Sequence, residues 1–213
     1  MKFYIISPPT ENNQFTAEKL EKISEIIPVE FFQFRPKHKK IEDRLKFVRK
    51  NFNQFKKVCK RKKIKMIIND DFDIAEKFNF DGIHLGQRDR KCRDAKKIFG
   101  KNFIVGVSCS DSLSLYNDAL KQKADYVAFG PIFETFYKKK KKIDIYKFSK
   151  KIRSLRLPFT LIGGINHNNF KKCLGFNPDY IAMISSFWNF KDGPVKSALL
   201  FQRILRGMIA YEN

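Results

Sequence analysis

Eight short runs rich in β-branched and aromatic residues, each followed by a longer stretch, constrain this chain more than any other feature. The runs are Phe3-Ile6, Val29-Phe34, Lys65-Ile68, Gly82-His84, Phe103-Val107, Tyr126-Phe129, Phe159-Ile162 and Tyr180-Met183. Between them, Ala17-Ile27, Asp43-Arg61, Leu113-Lys121 and Tyr146-Leu155 carry apolar residues at three- and four-residue steps, and Val195-Met208 closes the chain in the same way. Strands that alternate with helices pair in parallel, because each helix carries the chain back to the start of the next strand. Right-handed crossovers then allow a closed barrel or an open doubly wound sheet. Eight units within 213 residues suit a compact barrel. The expectation is an α/β protein with one domain, residues 1–213, folded as a single (β/α)8 TIM barrel.

Composition removes several classes of function. At 43% hydrophobic residues the chain can fill a core, so disorder is excluded. No apolar run approaches the roughly 20 residues that span a bilayer. The start, Met1-Lys2-Phe3-Tyr4-Ile5-Ile6, reads as a strand and is too short for a secretory signal, so a cytoplasmic location is expected. Cys59, Cys92, Cys109 and Cys173 are scattered without a paired spacing, and His38, His84 and His167 form no zinc-ligand pattern. Forty-four Lys and Arg against 22 Asp and Glu leave a net charge of +22, which would suit polyanionic partners. Lys, Phe, Ile and Asn are all abundant and the basic residues are spread along the chain, so a biased composition accounts for the charge and nucleic acid is not the expected partner. A homo-oligomer is admitted, since barrels often associate, but no surface is assigned to it.

Chemistry in a barrel sits at the C-terminal ends of its strands. Alternation after the second strand points Gln33, Arg35 and Lys37 to one side, an amide and two cations around an anion-sized space. The third strand ends in Asn69-Asp70-Asp71 and the fourth leads to Asp89. Asp70 and Asp89 make a candidate Mg²⁺ site, because Mg²⁺ is usually held by one or two carboxylates and substrate phosphates. One of Asp70 and Asp71 is also expected to cap the helix that starts at Phe72. Ser108 brings a hydroxyl to the rim after the fifth strand. Gly163-Gly164 after the seventh strand and Ser185 after the eighth occupy the usual phosphate cradle of the fold, where glycine and helix amides approach an anion. A diphosphate-Mg²⁺ site and a monophosphate site in one mouth suggest a transferase acting on two phosphorylated small molecules.

Gln33-Phe34-Arg35-Pro36-Lys37, Ile68-Asn69-Asp70-Asp71, Asp81-Gly82-Ile83-His84-Leu85-Gly86-Gln87-Arg88-Asp89, Gly106-Val107-Ser108, Ala124-Asp125-Tyr126, Gly130-Pro131-Ile132-Phe133, Ile162-Gly163-Gly164-Ile165 and Met183-Ile184-Ser185 together resemble the thiamine phosphate synthase family, in register from the first strand to the last. The resemblance implies that an aminopyrimidine-methyl diphosphate is joined to a thiazole phosphate, giving thiamine phosphate and pyrophosphate after dissociative loss of the diphosphate. It implies that Arg35, Lys37, Ser108 and Lys138 hold the diphosphate, with Lys138, Ser108 and Arg35 serving catalysis. It further implies Asp70 and Asp89 for Mg²⁺, Asn69 beside them, and Gln33 near the pyrimidine. Thr135, Gly164, Ile184 and Ser185 would hold the thiazole phosphate.

The chain departs from the family after Phe133. There the usual small residue or proline, Thr, any residue, Thr or Ser, then Lys is replaced by Glu134-Thr135-Phe136-Tyr137-Lys138 and a lysine run to Lys142. That run is expected to close over the substrates as a lid. Pro36 removes one backbone donor from the diphosphate loop, and Glu134 is tolerable near anions only if it points away. Two alternatives stand beside the synthase. One is a thiazole tautomerase-like isomerase, against which the chain keeps Arg35, Lys37, Asp70 and Asp89 and has Ser108-Cys109-Ser110 where a histidine would be expected. The other is a degenerate barrel that binds phosphate ligands without turnover.

Overall fold

The computed structural model describes residues 1–135, 142–152 and 155–207. Its parallel strands are β1 (Lys2–Ile6), β2 (Val29–Phe34), β3 (Lys65–Asn69), β4 (Gly82–Leu85), β5 (Ile104–Ser110), β6 (Tyr126–Phe129), β7 (Phe159–Ile162) and β8 (Tyr180–Met183). They pair in chain order and β8 returns to β1, so the sheet closes into the expected (β/α)8 barrel. The strand bounds follow the sequence pattern closely except at β5. It extends beyond Val107 to Ser110, with an irregular register between Ser108 and Ser110 against β6. A bulge of this kind breaks alternation, so periodicity alone ends the strand too early.

The helices are α1 (Ala17–Ile26), α2 (Ile41–Lys62), α3 (Phe72–Lys77), α4 (Cys92–Phe99), α5 (Leu113–Lys121), α6 (Ile145–Ile152), α7 (Phe170–Leu174), α8 (Ser185–Trp188) and α9 (Pro194–Leu205). The sequence pattern singles out α1, α2, α5, α6 and α9. It passes over α4, α7 and α8 and marks α3 only by the start expected at Phe72; α3, α7 and α8 are too short to show several apolar steps. Thr16 starts α1 and Ser112 starts α5, each accepting from the backbone amide three residues on, at 3.3 Å. Among the described residues no helix is long and apolar enough to cross a membrane.

Two separate cores hold the barrel. The larger lies between strands and helices, where aromatic rings do much of the filling. Phe15 and Phe32 both stack on Phe55, at 4.5 and 4.7 Å between ring centres. Fully burying one such ring stabilises the fold by about 1.5–3 kcal/mol. The smaller core fills the barrel itself with Tyr4, Ile6, Phe31, Ile67, Tyr126 and Ala182. Strands with both faces covered read as continuous apolar runs, and β4 and β6 are buried at every position. The polar residues that rise above this inner core form the floor of the site.

Candidate active site

At the ends of β2, β3 and β4 the mouth is lined with charge. Lys37 follows β2, and its Nζ donates to Asp70 Oδ2 at 2.7 Å. Asp70 follows β3 in left-handed backbone, φ 63°, with its amide held by the His84 carbonyl at 2.9 Å. Aspartate tolerates that conformation better than most residues, and such positions gather at functional sites. Asp89 folds back so that its Oδ2 accepts from the Gly86 amide at 2.6 Å. Asp70 and Asp89 also lie within hydrogen-bonding reach of one another. Burial pushes the Asp70 carboxyl up, but the Lys37 ammonium and the bonds from Lys37 and Asp89 outweigh it and hold it below its ordinary value. Burial and then the Asp70 charge push the Asp89 carboxyl up, against the Gly86 amide. Two carboxylates this close repel unless a proton or a cation lies between them. No cluster of three or more acidic, histidine or cysteine ligands occurs among the described residues. Two carboxylates are too few to cage a metal, so a cation held here would draw its remaining ligands from phosphate and water.

Asp71 corrects one expectation. It occupies the N-cap position of α3, but neither it nor Asp70 caps that helix with its side chain. The Asp71 carboxylate instead takes Arg44 of α2 in a forked pair, with Nε to Oδ2 and Nη2 to Oδ1 both at 2.9 Å. Arg44 also donates to the carbonyls of His38 and Lys39, each at 3.0 Å, which ties the loop after β2 to the start of α3. Nothing in local sequence announces a partner 27 residues away.

The floor is an unbroken hydrogen-bonded row. Gln33 Nε2 meets the Tyr4 hydroxyl at 2.7 Å, and Tyr4 meets the Tyr126 hydroxyl at 2.7 Å. Tyr126 meets His84 Nδ1 at 3.1 Å, and His84 Nε2 meets Ser108 Oγ at 2.9 Å. Gly106 makes this row possible, because a Cβ there would collide with the Tyr126 ring. Asn69 is buried beside His84 in the β3–β4 register. Arg35 has its amide fixed by the Ser7 hydroxyl at 2.8 Å, and Ser7 in turn is held by the Gln33 carbonyl at 2.8 Å. Ser7, Tyr4, His84 and Tyr126 line this floor, and the motif reading gave none of them a role. The usable signal was a polar side chain at an inward position of a strand otherwise made of apolar residues.

At the ends of β6, β7 and β8 the mouth is built from backbone. The Ile132 and Phe133 amides donate to the Ile162 and Gly163 carbonyls, each at 3.0 Å, joining the loop after β6 to the end of β7. Gly164 has φ 67°, and a Cβ on it would collide with the Glu134 carbonyl oxygen, so only glycine fits. Thr135 is half-buried in this loop, and Glu134 is exposed. Ile184 is the N-cap of α8 and Ser185 its first residue, so the leading amides of that short helix have no partner within it. Trp188 anchors α8 by donating from Nε1 to the Ile6 carbonyl at 2.7 Å. Lys138, and the expected lid as far as Lys141, lie outside the described residues.

A closed (β/α)8 barrel with paired charge on one side of its mouth and open backbone amides on the other has the form of a phosphate-handling barrel. A family model described as thiamine monophosphate synthase matches residues 3–187. A thiamine-phosphate synthase of Pelagibacter ubique is 37% identical over 191 residues, which is 88% of this chain and 89% of that one. A thiamine-phosphate synthase of Rhodospirillum centenum is 31% identical over 209 residues, 97% and 98% of the two chains. The solved structure of a thiamine phosphate pyrophosphorylase from Pyrococcus furiosus shares the fold, with a TM-score of 0.78 at 24% identity over 98% of this chain and 97% of that one. The chain belongs to the thiamine monophosphate synthase family.

Proposed function

We propose that this protein joins 4-amino-2-methyl-5-pyrimidinylmethyl diphosphate to 4-methyl-5-(2-phosphoethyl)thiazole, giving thiamine phosphate and pyrophosphate. The observation that carries the reading is the Lys37–Asp70–Asp89 cluster, in a chain that thiamine-phosphate synthases match along nearly its whole length. In this reading the bond from the pyrimidine methylene to the diphosphate breaks first, and the thiazole nitrogen captures the cation. The protein has little covalent chemistry to perform, so positioning and stabilisation of the departing anion supply the rate. Arg35, Lys37, Ser108 and Lys138 hold the leaving diphosphate. Gln33 and Asn69 orient the pyrimidine from the floor. Thr135, Gly164, Ile184 and Ser185 take the thiazole phosphate, largely through backbone amides that need no charge of their own.

Asp70 and Asp89 would hold Mg²⁺, which supplies charge neutralisation for the diphosphate when bound. Lys37 answers the same need, since the ammonium that pairs with Asp70 is on hand for a phosphate oxygen when the carboxylate turns to a cation. The four cysteines are buried and unpaired, which suits a reducing cytoplasm.

The test is a coupling assay with both substrates and Mg²⁺, reading thiamine phosphate as a fluorescent oxidation product, with EDTA and Lys138→Ala arms. Product that vanishes in both arms supports the reading. A folded protein that binds the diphosphate and makes no product would reject it in favour of a binding-only barrel, and conversion of the thiazole alone would reject it in favour of an isomerase.

A further inference from the structure

The buried row on the barrel floor does more than fill space, because its protons can be counted. Its five members come from five strands: Gln33 on β2, Tyr4 on β1, Tyr126 on β6, His84 on β4 and Ser108 on β5. Its four links measure 2.7, 2.7, 3.1 and 2.9 Å. Tyr4 and Tyr126 are each 1% exposed, and burial raises both phenols, so each hydroxyl keeps its one proton. A neutral imidazole donates from one nitrogen and accepts at the other. A row of such groups has only two orders in which every link is satisfied and neither tyrosine proton is left without an acceptor.

In the order the structure shows, the Gln33 amide donates to Tyr4. Tyr4 has no other acceptor among the described residues than Tyr126, so it donates there. Tyr126 donates to His84 Nδ1, which places the imidazole proton on Nε2, and Nε2 donates to Ser108 Oγ. The Ser108 proton is left over for a ligand in the mouth. The Gln33 carbonyl oxygen is left over at the other end and accepts from whatever binds there. In the reverse order Gln33 is turned, its carbonyl accepts from Tyr4, and every proton down the row flips. Ser108 then spends its proton on His84 and offers the mouth only a lone pair.

We propose that this row is a proton-ordered relay that couples a hydrogen-bond donor on the ligand at Gln33 to an anion at Ser108, so that each tightens the other. The inference rests on the functional reading above, in which an aminopyrimidine meets Gln33 and its own diphosphate meets Ser108. The amine of the ring selects the order in which Ser108 can donate, and the diphosphate selects the same order from the far end. Coupling of this kind is reciprocal, and it requires no movement of the backbone. Tyr4, Tyr126 and His84 are positioning residues in this scheme. Breaking any link frees the two ends from one another.

The experiment uses the two fragments of the substrate: inorganic pyrophosphate with Mg²⁺, and the aminopyrimidine methanol that lacks phosphate. Calorimetry gives the affinity of each alone and with the other at saturation. In the wild type each ligand is expected to tighten the other about three- to tenfold, the scale of one neutral hydrogen bond. Tyr126→Phe removes only the hydroxyl, and Tyr4→Phe breaks the next link independently, so either variant that folds serves. In both, the coupling factor is expected to fall to one. A pyrimidine methanol without the amine should give no coupling in the wild type. Nitrogen NMR of histidine-labelled protein gives a second readout, tractable because the chain has three histidines. His84 is expected as the Nε2-protonated tautomer when both ligands are bound. Coupling that survives in Tyr126→Phe, or a His84 protonated at Nδ1 or at both nitrogens in the ternary complex, overturns the relay while leaving the site reading intact. Failure of the wild type to bind either fragment overturns both together.

Discussion

Where β2, β3 and β4 end, the mouth is made of side chains: two cations, two facing carboxylates and a forked Arg44–Asp71 pair behind them. Where β6, β7 and β8 end, it is made of main chain: glycine in left-handed backbone, carbonyls joined to amides, and the open start of α8. Under the proposed function, the difference follows from what each half would have to do. A diphosphate that must leave as an anion needs charge that rises to meet it, and a metal needs carboxylates. A phosphate that is only held can rest on dipoles that stay neutral. The two halves should therefore fail in different ways.

The largest effect is expected from the charged half. Asp70→Asn keeps a residue that tolerates φ 63° and removes only the charge. Turnover should fall about a hundredfold or more, as when one preorganised group facing the developing charge is lost. Titrating Mg²⁺ should show the variant saturating at far higher metal concentration, with the melting temperature nearly unchanged. Wild-type turnover in Asp70→Asn would break the comparison at its stronger end.

The backbone half should respond to a single methyl group. Gly164→Ala puts a Cβ into the Glu134 carbonyl oxygen at a backbone angle that L residues rarely adopt. Strain of that kind costs roughly 1–3 kcal/mol, and the loop after β6 has to move to relieve it. The KM for the thiazole phosphate should rise at least about tenfold, while pyrophosphate affinity stays within about twofold. Equal losses at both ligands would show that the halves are one unit.

The same contrast explains how far the sequence could be read. The barrel was legible because its strands keep their apolar runs and its longer helices keep their three- and four-residue steps. The candidate charged residues were legible too: Arg35, Lys37, Asp70 and Asp89 stand at or a few residues after strand ends, where a barrel carries its chemistry. The floor was not. Tyr4 and Tyr126 look like ordinary strand aromatics, and only the closed barrel shows that they meet at 2.7 Å across 122 residues of chain. The cap expected from Asp70 or Asp71 failed because Asp70 pairs with Lys37 and Asp71 with Arg44, which is distant in sequence and binds a carboxylate more strongly than a backbone amide does. The bulge in β5 hid for a simpler reason, since it breaks the period that periodicity measures.

A smaller effect, of opposite sign, belongs to the inner core below both halves. Thr160 on β7 is fully buried, and its hydroxyl has no partner among the described residues. Thr160→Val keeps the shape and removes the unsatisfied group, which should stabilise the protein by about 1 kcal/mol. That corresponds to roughly 2–4 °C in melting temperature for a chain of this size, with turnover unchanged because the hydroxyl serves neither half. A lower melting temperature would mean that the hydroxyl is satisfied after all and belongs to the floor.

The smallest effect is a pH dependence confined to the backbone half. His167 follows β7, is 9% exposed, and stacks on Phe201 at 4.1 Å between ring centres. Its Nε2 lies 3.1 Å from Ser197 Oγ, Ser197 donates to the Ser186 carbonyl at 2.6 Å, and Ser186 donates to the Ile165 carbonyl. A neutral imidazole thus helps stitch α8 and α9 to the loop after β7. Burial lowers the His167 pKa from its ordinary 6.5, with the Ser197 carbonyl opposing. The unfolded chain therefore binds this proton more readily than the folded one. Stability due to His167 is complete above about pH 6.5 and is lost as the pH falls through the lower folded value. Urea midpoints compared between wild type and His167→Phe across pH 7.5 to 5 should converge toward the acid end, because only the wild type carries this term. Hydrogen exchange in α8 should quicken over the same window, while amides near Asp70 and Asp89 stay protected. Parallel curves for the two proteins would show that the imidazole takes its proton in the folded state as easily as in the unfolded, and that the stitching does not depend on its neutrality.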